Sequence, residues 1–157
     1  MTNPLILISL LLCMQVPNSI SDDPESRFTP GTRVEIDGRY DGEFLEAVKL
    51  VQEEDDEFLE IKGEVSSVNL QRSEITVGPF TILVDEKTDF DDSEDDEESH
   101  ELAEIQKNWR LEIEGQFVSP LIFKAVEIEV DTNPADRKSG LLELEGYVES
   151  QDLDEDG

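Results

Sequence analysis

The sequence predicts an all-β protein built around a small antiparallel β-barrel, with partial β units on either side. From residue 32 onward, apolar and charged residues alternate with a period of two, as in strands that bury one face and expose the other. Four of these segments carry a glycine on the apolar face, at Gly38, Gly63, Gly115 and Gly146. A glycine there lets a strand coil sharply and lets a small barrel close without crowding its interior.

Residues 1–21 have the character of a secretory signal peptide. They contain no Asp, Glu, Lys or Arg, an apolar run extends over residues 5–16, and Ser19-Ile20-Ser21 forms a small-x-small cleavage pattern. The apolar run is shorter than the roughly 20 residues of a membrane-spanning helix. We therefore expect an exported protein, periplasmic or secreted, with no membrane span once the leader is cleaved. A leader retained as an anchor is the alternative.

Cys13 is the only cysteine of the chain. Leu12 stands directly before it, where a lipoprotein processing site normally has a small residue, so we do not expect lipid anchoring at Cys13. If the leader is cleaved near Ser21, Cys13 leaves with it. The remaining chain then forms neither a disulfide nor a thiolate zinc site.

Residues 22–30 are expected to be a flexible N-terminal segment, and residues 31–56 a partial β unit that ends in an acidic linker. Within this unit, residues 32–51 align with residues 109–130, and Ala47 matches Ala125. Both stretches are typical of β-hairpins.

Residues 57–131 are predicted to form one complete β-barrel unit. The unit holds a strand at residues 58–65, a hairpin with its turn at Gly78-Pro79, and a closing hairpin over residues 109–130. Leu102, Ile105 and Trp109 have an i, i+3, i+7 spacing, which predicts one short helix over residues 101–107.

Residues 132–149 are predicted to be a linker and a terminal β-strand, and residues 150–157 an acidic tail. The terminal strand, residues 141–148, aligns with residues 58–65. The two end fragments either pair with each other and complete a second, split barrel, or cap the edges of the first one. The sequence leaves both arrangements open, within one chain or between two.

The complete unit carries a series of short motifs in a fixed order. They are Gly63-Glu64-Val65, Ile75-Thr76-Val77, Val84-Asp85 followed by Thr88-Asp89-Phe90, Leu111-Glu112-Ile113-Glu114-Gly115, and Ala125-Val126-Glu127-Ile128. In this order they resemble a bacterial domain family of unknown function, found in exported proteins and often in tandem. The resemblance implies a small OB-like antiparallel β-barrel and no particular activity. The family usually has a glycine just before the closing hairpin, where this chain has Asn108-Trp109.

The charge of the chain is strongly one-sided. Asp and Glu number 41 against 12 Lys and Arg, which gives a formal net charge of −29. Nucleic-acid affinity comes largely from Lys and Arg that displace counterions from phosphates, so nucleic acid is excluded as a partner. An anionic membrane surface is disfavoured for the same reason. The charge would instead steer a basic protein or peptide, or cations, toward the chain.

The acidic loop in the complete unit is the candidate metal site. Asp89, Asp91, Ser93, Asp95 and Glu97 present oxygen atoms at alternate positions, and calcium prefers several oxygen ligands. The spacing matches half of a calcium loop, but Glu94 stands where that loop needs glycine and His100 where it needs a bidentate Glu. Diffuse, weak cation binding and a merely solvated acidic surface are the alternatives. We expect no other cofactor.

Catalysis has little support in the sequence. His100 is the only histidine and lies in the acidic loop, and no phosphate-binding glycine loop occurs. We therefore expect a non-catalytic binding or structural module of the cell envelope. A calcium- or cation-responsive acidic module is one alternative. A hydrolase is another, and it requires a pair of carboxyl groups with a raised pKa, grouped in a cleft.

Overall fold

The structure is a computed structural model, and it describes residues 28–43, 45–91, 101–130 and 140–149. These residues form nine β-strands and no helix. The strands are β1 (Arg33–Tyr40), β2 (Leu45–Gln52), β3 (Leu59–Asn69), β4 (Glu74–Val77), β5 (Phe80–Leu83), β6 (Asp89–Asp91), β7 (Arg110–Ser119), β8 (Ile122–Val130) and β9 (Leu141–Tyr147). The all-β prediction is confirmed. No described residue belongs to a helix that could cross a membrane.

Five of the strands pair in a closed ring. β3 pairs with β4, β4 with β5, β5 with β8, β8 with β7, and β7 with β3 again. The pair of β5 and β8 is parallel and the other four pairs are antiparallel. A ring leaves these strands few unpaired edges, which protects them from pairing with other chains. The short strand β6 adds to β8 in parallel, beyond β5.

The three remaining strands form an extension of the ring that we call the arm. β1 pairs with β2 on one edge and with β9 on the other, and β9 pairs with β3 at Ile61 and Lys62. The end fragments therefore pair with each other within one chain, and β9 also joins them to the ring. The arm is defined as β9, β1 and β2.

The core lies on the inner face of the ring. Ile61, Ile75, Ile82, Ile113 and Ile128 are completely buried in one apolar cluster. Isoleucine suits these positions because a β-branched side chain packs well on a pleated, half-buried surface. The face that the alternation predicted to be apolar is therefore the face that is buried.

Aromatic rings fill one end of the core. The ring of Phe117 packs edge to face against Phe80 at 5.5 Å and Phe123 at 4.9 Å, measured between ring centroids. Such edge-to-face pairs contribute roughly 0.5–1.5 kcal/mol beyond their buried area. These rings stabilise the core and leave no aromatic surface free at that end.

Two of the inward glycines are required by close approach. A Cβ atom at Gly115 would collide with the backbone carbonyl of Lys124, and one at Gly63 would lie 2.6 Å from a methyl group of Val77. Gly115 also follows a β-bulge between Glu114 and Gly115, where β7 shifts register against β8. The coiling that the inward glycines predicted thus has a steric basis at both positions.

The helix predicted over residues 101–107 is wrong. The chain instead makes two successive turns, in which the amide of Glu104 donates to the carbonyl of Glu101 and that of Trp109 to the carbonyl of Gln106. Turns with i to i+3 hydrogen bonds bring Ile105 into the core as a helix would. The spacing of the apolar residues therefore does not distinguish a helix from two successive turns. Asn108 then has a φ of 70°, which a helix does not permit.

Candidate functional site

The charged residues of the strands lie together on the outer face of the sheet. Successive side chains of a strand point to opposite faces, so the residues between the core positions point outward. Strand pairing aligns them into a lateral row across β1, β9, β3, β7, β8 and β6. The row consists of Asp37, Glu143, Lys62, Glu112, Glu129 and Asp91.

Lys62 holds the middle of this row together. Its Nζ lies 3.0 Å from Glu60 Oε1 and 3.2 Å from Glu112 Oε2. Burial lowers the pKa of Lys62, but the hydrogen bond to Glu60 and the charges of Glu60 and Glu112 raise it by more, and the net shift is upward. Lys62 therefore stays protonated at neutral pH.

Glu60 is the most perturbed carboxyl group of the described residues. Burial, reinforced by a hydrogen bond with Glu112, raises the pKa of Glu60 to about 8, although Lys62 acts in the opposite direction. Glu60 therefore holds its proton to a higher pH than a free carboxyl group does. The hydrogen bond between Glu60 and Glu112 is made by this proton.

Two buried arginines connect the arm to the ring. Arg33 donates from Nη2 to Glu145 Oε2 at 2.6 Å and to the carbonyl of Phe58 at 2.7 Å. Arg110 donates from Nη2 to Glu143 Oε1 at 2.8 Å and from Nη1 to the carbonyl of Leu141 at 2.9 Å. Both arginines are only 6% exposed. Such charge-assisted bonds between buried groups fix β9 in position.

A small cleft opens beside Arg33. Its volume is about 120 Å³, and it is lined by Arg33, Asp56, Phe58, Leu59, Glu60, Glu114 and Glu145. Nε and Nη1 of Arg33 are buried and have no hydrogen-bond partner among the described residues. Ligand pockets typically measure roughly 300–1,000 Å³, so this cleft accommodates only water or a very small ligand.

Carboxylates without a cation gather at the other end of the outer face. We call Glu114, Glu127, Glu129, Asp89 and Asp91 the acidic patch; they lie on the adjacent strands β7, β8 and β6. Burial raises the pKa of Glu127, and the charges of Glu114 and Asp91 raise it further. Within the described ranges, no member of the acidic patch forms an ion pair. Negative charge is therefore concentrated there.

The structure describes two of the five predicted calcium ligands. Asp89 and Asp91 are exposed on β6 and lie opposite Glu127 and Glu129 of β8. The other three, Ser93, Asp95 and Glu97, lie outside the described residues, so the calcium site stays a prediction. Among the described side chains, no three of His, Cys, Asp or Glu are placed to hold a metal ion.

The cluster around Lys62 was not singled out by the sequence. Alternation placed Glu60, Lys62 and Glu112 on an outer face, but so many carboxylates share that face that none stood out. Their contacts depend on the register that sets Lys62 opposite Glu112. Only a prediction of strand pairing between β3 and β7 would have found them.

The ring also coincides with the region that matches a known family. Residues 62–129 match the family model of DUF5666, a domain of unknown function. The DUF5666 segment runs from β3 to β8 and includes the whole acidic patch, and it confirms the predicted resemblance to a domain family of unknown function. It covers less than half of the chain, and the arm lies almost entirely outside it. Comparison with curated proteins and with solved structures finds no match.

Proposed function

We propose that the chain is a non-catalytic binding module of an exported protein, and that its DUF5666 domain captures a basic protein or peptide through the acidic patch. The observation that carries this proposal is the grouping of five carboxylates on the adjacent strands β7, β8 and β6, with no ion pair to them among the described residues. This crowding contributes to the raised pKa of Glu127. A Lys- or Arg-rich segment would relieve this repulsion. The net charge of −29 would also speed its approach.

The closed ring supports a binding role because it is a rigid carrier for the patch. Its strand order, with a parallel pair between β5 and β8, supports the predicted OB-like barrel. Strands of such a ring hold outward side chains at fixed spacing. Glu114, Glu127 and Asp89 are therefore presented side by side without rearrangement.

One observation supports the hydrolase alternative, and two argue against it. Glu60 has the raised pKa that a general acid needs, and Glu114 and Glu145 share its cleft. Glu60 is, however, engaged by Lys62 and Glu112, and the cleft of about 120 Å³ is too small for most substrates. Both features favour a structural role for the Glu60 cluster.

A second candidate function is a cation-responsive module. It is favoured by the position of Asp89 and Asp91, two predicted calcium ligands, inside the acidic patch. A cation bound only by the folded protein would raise its melting temperature by mass action. Melts in millimolar calcium and in sodium chloride of equal ionic strength separate this function from simple screening.

Titration with a lysine-rich peptide tests the proposed function. We expect a triple variant, Glu114→Gln, Glu127→Gln and Glu129→Gln, to bind about tenfold more weakly, since each exposed charge pair contributes up to about 1 kcal/mol. The matched control carries Glu64→Gln, Glu86→Gln and Glu101→Gln, three exposed positions outside the patch and away from β2. An equal loss in both variants would show that only net charge matters, and the proposal would be wrong.

A further inference from the structure

The arm pairs its strands in the same register as part of the ring. Each hairpin has its register shift directly before a glycine, between Asp37 and Gly38 in β1 and between Glu114 and Gly115 in β7. The corresponding pairs are Ile36 with Leu50 and Ile113 with Ile128, Gly38 with Ala47 and Gly115 with Ala125, and Tyr40 with Leu45 and Phe117 with Phe123. β1 and β2 are therefore the counterparts of β7 and β8.

The same correspondence extends to β9. Ile36 of β1 lies opposite Leu144 of β9, as Ile113 of β7 lies opposite Ile61 of β3. β9 is thus the counterpart of β3. The arm reproduces three of the five ring strands, and it has no counterpart of β4 and β5 among the described residues.

The missing hairpin leaves an apolar face partly open. In the ring, Phe123 and Ile128 of β8 are 0% exposed; Phe123 lies opposite Ile82 of β5, and Ile128 lies opposite Phe90 of β6. Their counterparts in the arm, Leu45 and Leu50 of β2, are only partly buried. Leu45 packs with part of its side chain against the ring core, which leaves Leu50 the more open of the two. Within the described part of the chain, β2 pairs with β1 alone. No described strand therefore occupies, on β2, the edge that β5 and β6 occupy on β8.

The ring itself shows which kind of segment fits this place. The β4–β5 hairpin turns alternate apolar side chains inward, and Ile75, Val77, Phe80 and Ile82 are at most 2% exposed. Its second strand pairs in parallel with β8 through Thr81, Ile82 and Leu83. An exposed strand edge readily takes up such a segment, with main-chain hydrogen bonds for affinity and side-chain pockets for specificity.

The charges around β2 select the partner. Exposed Asp41 and Glu43 precede the strand, and residues 54–57, which are all acidic and exposed, follow it. A second copy of this chain would bring the same carboxylates and a net charge of −29. A segment with Lys or Arg at its ends would instead be complementary to both ends of β2.

We propose that the arm binds a β-hairpin of another protein, with alternating apolar residues on its inner face and basic residues at its ends. The hairpin pairs in parallel with the free edge of β2 and covers Leu45 and Leu50. It completes in the arm the arrangement that β4 and β5 complete in the ring. This binding uses the arm and does not involve the acidic patch.

The experiment uses a peptide with the sequence of residues 73–84, flanked by two lysines at each end, and the full chain. Amide hydrogen exchange is followed with and without the peptide. We expect exchange of the β2 amides, residues 45–52, to slow at least about tenfold, as for amides that gain hydrogen bonds in a stable strand pair. A scrambled peptide of the same composition should change nothing.

Two variants of β2 distinguish the apolar face from the general charge of the strand. Leu50→Asp places a carboxylate on the face that the hairpin covers and should abolish binding. Val48→Asp adds the same charge at the unpaired residue of the bulge between β1 and β2, which is 59% exposed. This variant should bind the peptide with an affinity within about twofold of the unchanged chain. The fluorescence of Trp109, which packs against the core of the ring, reports that the ring of both variants remains folded. Amide exchange of β1, which pairs with both β2 and β9, reports the same for the arm.

Three results would overturn the proposal. They are the absence of peptide binding, binding without protection of β2, and equal binding by the Leu50→Asp variant. Protection of β2 that grows with protein concentration and needs no peptide would identify a second copy as the occupant instead. The triple glutamine variant of the acidic patch should bind this peptide normally, so failure of the proposed function and failure of this inference are separable.

Discussion

The guanidinium of Arg110 reaches over β3 to the carboxylate of Glu143 and bonds it at 2.8 Å. Arg110 begins β7 in the ring, whereas Glu143 lies in β9 of the arm, so this ion pair joins the two parts of the molecule. It adds to a strand pairing of only two residue pairs between β3 and β9. The position of the arm therefore depends on buried charges as well as on the backbone.

Replacing Glu143 by Gln should destabilise the protein. The change weakens the bond at 2.8 Å between the guanidinium of Arg110, which is 6% exposed, and the side chain of residue 143. Removing one member of a buried ion pair costs roughly 3–5 kcal/mol, and the 20% exposure of the Glu143 side chain reduces this to about 2 kcal/mol. Urea unfolding measures the free energy of unfolding. Glu46→Gln, an exposed change on β2, should leave it within about 0.5 kcal/mol.

The pKa of Glu60 makes stability depend on pH. Folding raises this pKa from 4.5 to about 8, so between these pH values the folded state binds more protons than the unfolded state. Stability from this group is therefore complete below pH 4.5 and decreases as the pH rises toward 8, at up to about 1.4 kcal/mol per pH unit.

The variant Glu60→Gln should remove this dependence. Gln resembles the neutral carboxyl group, so the variant should match the unchanged protein near pH 5 and become the more stable of the two near pH 8. Urea unfolding of both proteins at four pH values gives the difference directly. Glu64→Gln, an exposed change on the same strand, serves as the control. A difference that does not grow with pH would contradict the role assigned to Glu60.

Local patterns predicted the strands well because each depends on one residue and its near neighbours. Alternation predicted β1, β3, β7 and β9 and the face that each buries. The glycines on that face predicted the close approach of neighbouring residues at Gly63 and Gly115. The contacts of Lys62 depend on register between strands that are far apart in the chain, and no local pattern encodes that register. The helix prediction was wrong because two successive turns also place Ile105 in the core, with the same spacing of apolar residues.

Substitution of Gly63 and Gly115, two of the close-packed glycines, should have unequal effects. A Cβ at Gly115 meets the backbone of β8, at the carbonyl of Lys124, which does not move without breaking the strand pairing. At Gly63 it meets side-chain atoms of Val77 and Leu142, which can shift without breaking a strand pairing. We expect Gly63→Ala to cost about 1–2 kcal/mol and Gly115→Ala at least about 3 kcal/mol. Thermal melts of both variants test this order, and equal losses would contradict it.

Asn108 lies in the turn just before β7, and its backbone conformation explains why Asn serves there. Its φ of 70° lies in the left-handed region, which costs most residues roughly 1–2 kcal/mol but which Asn tolerates better than most. The amide of Asn108 also donates to the carbonyl of Val65 at 2.8 Å, so the turn that begins β7 is tied to β3.

We expect Asn108→Ala to lower the free energy of unfolding by about 1 kcal/mol, whereas Asn108→Gly should leave it nearly unchanged. Chemical denaturation of the two variants separates backbone strain from loss of the side chain. If Gly destabilised the protein as much as Ala, the side chain of Asn108 would be the important feature, and its left-handed conformation would not be.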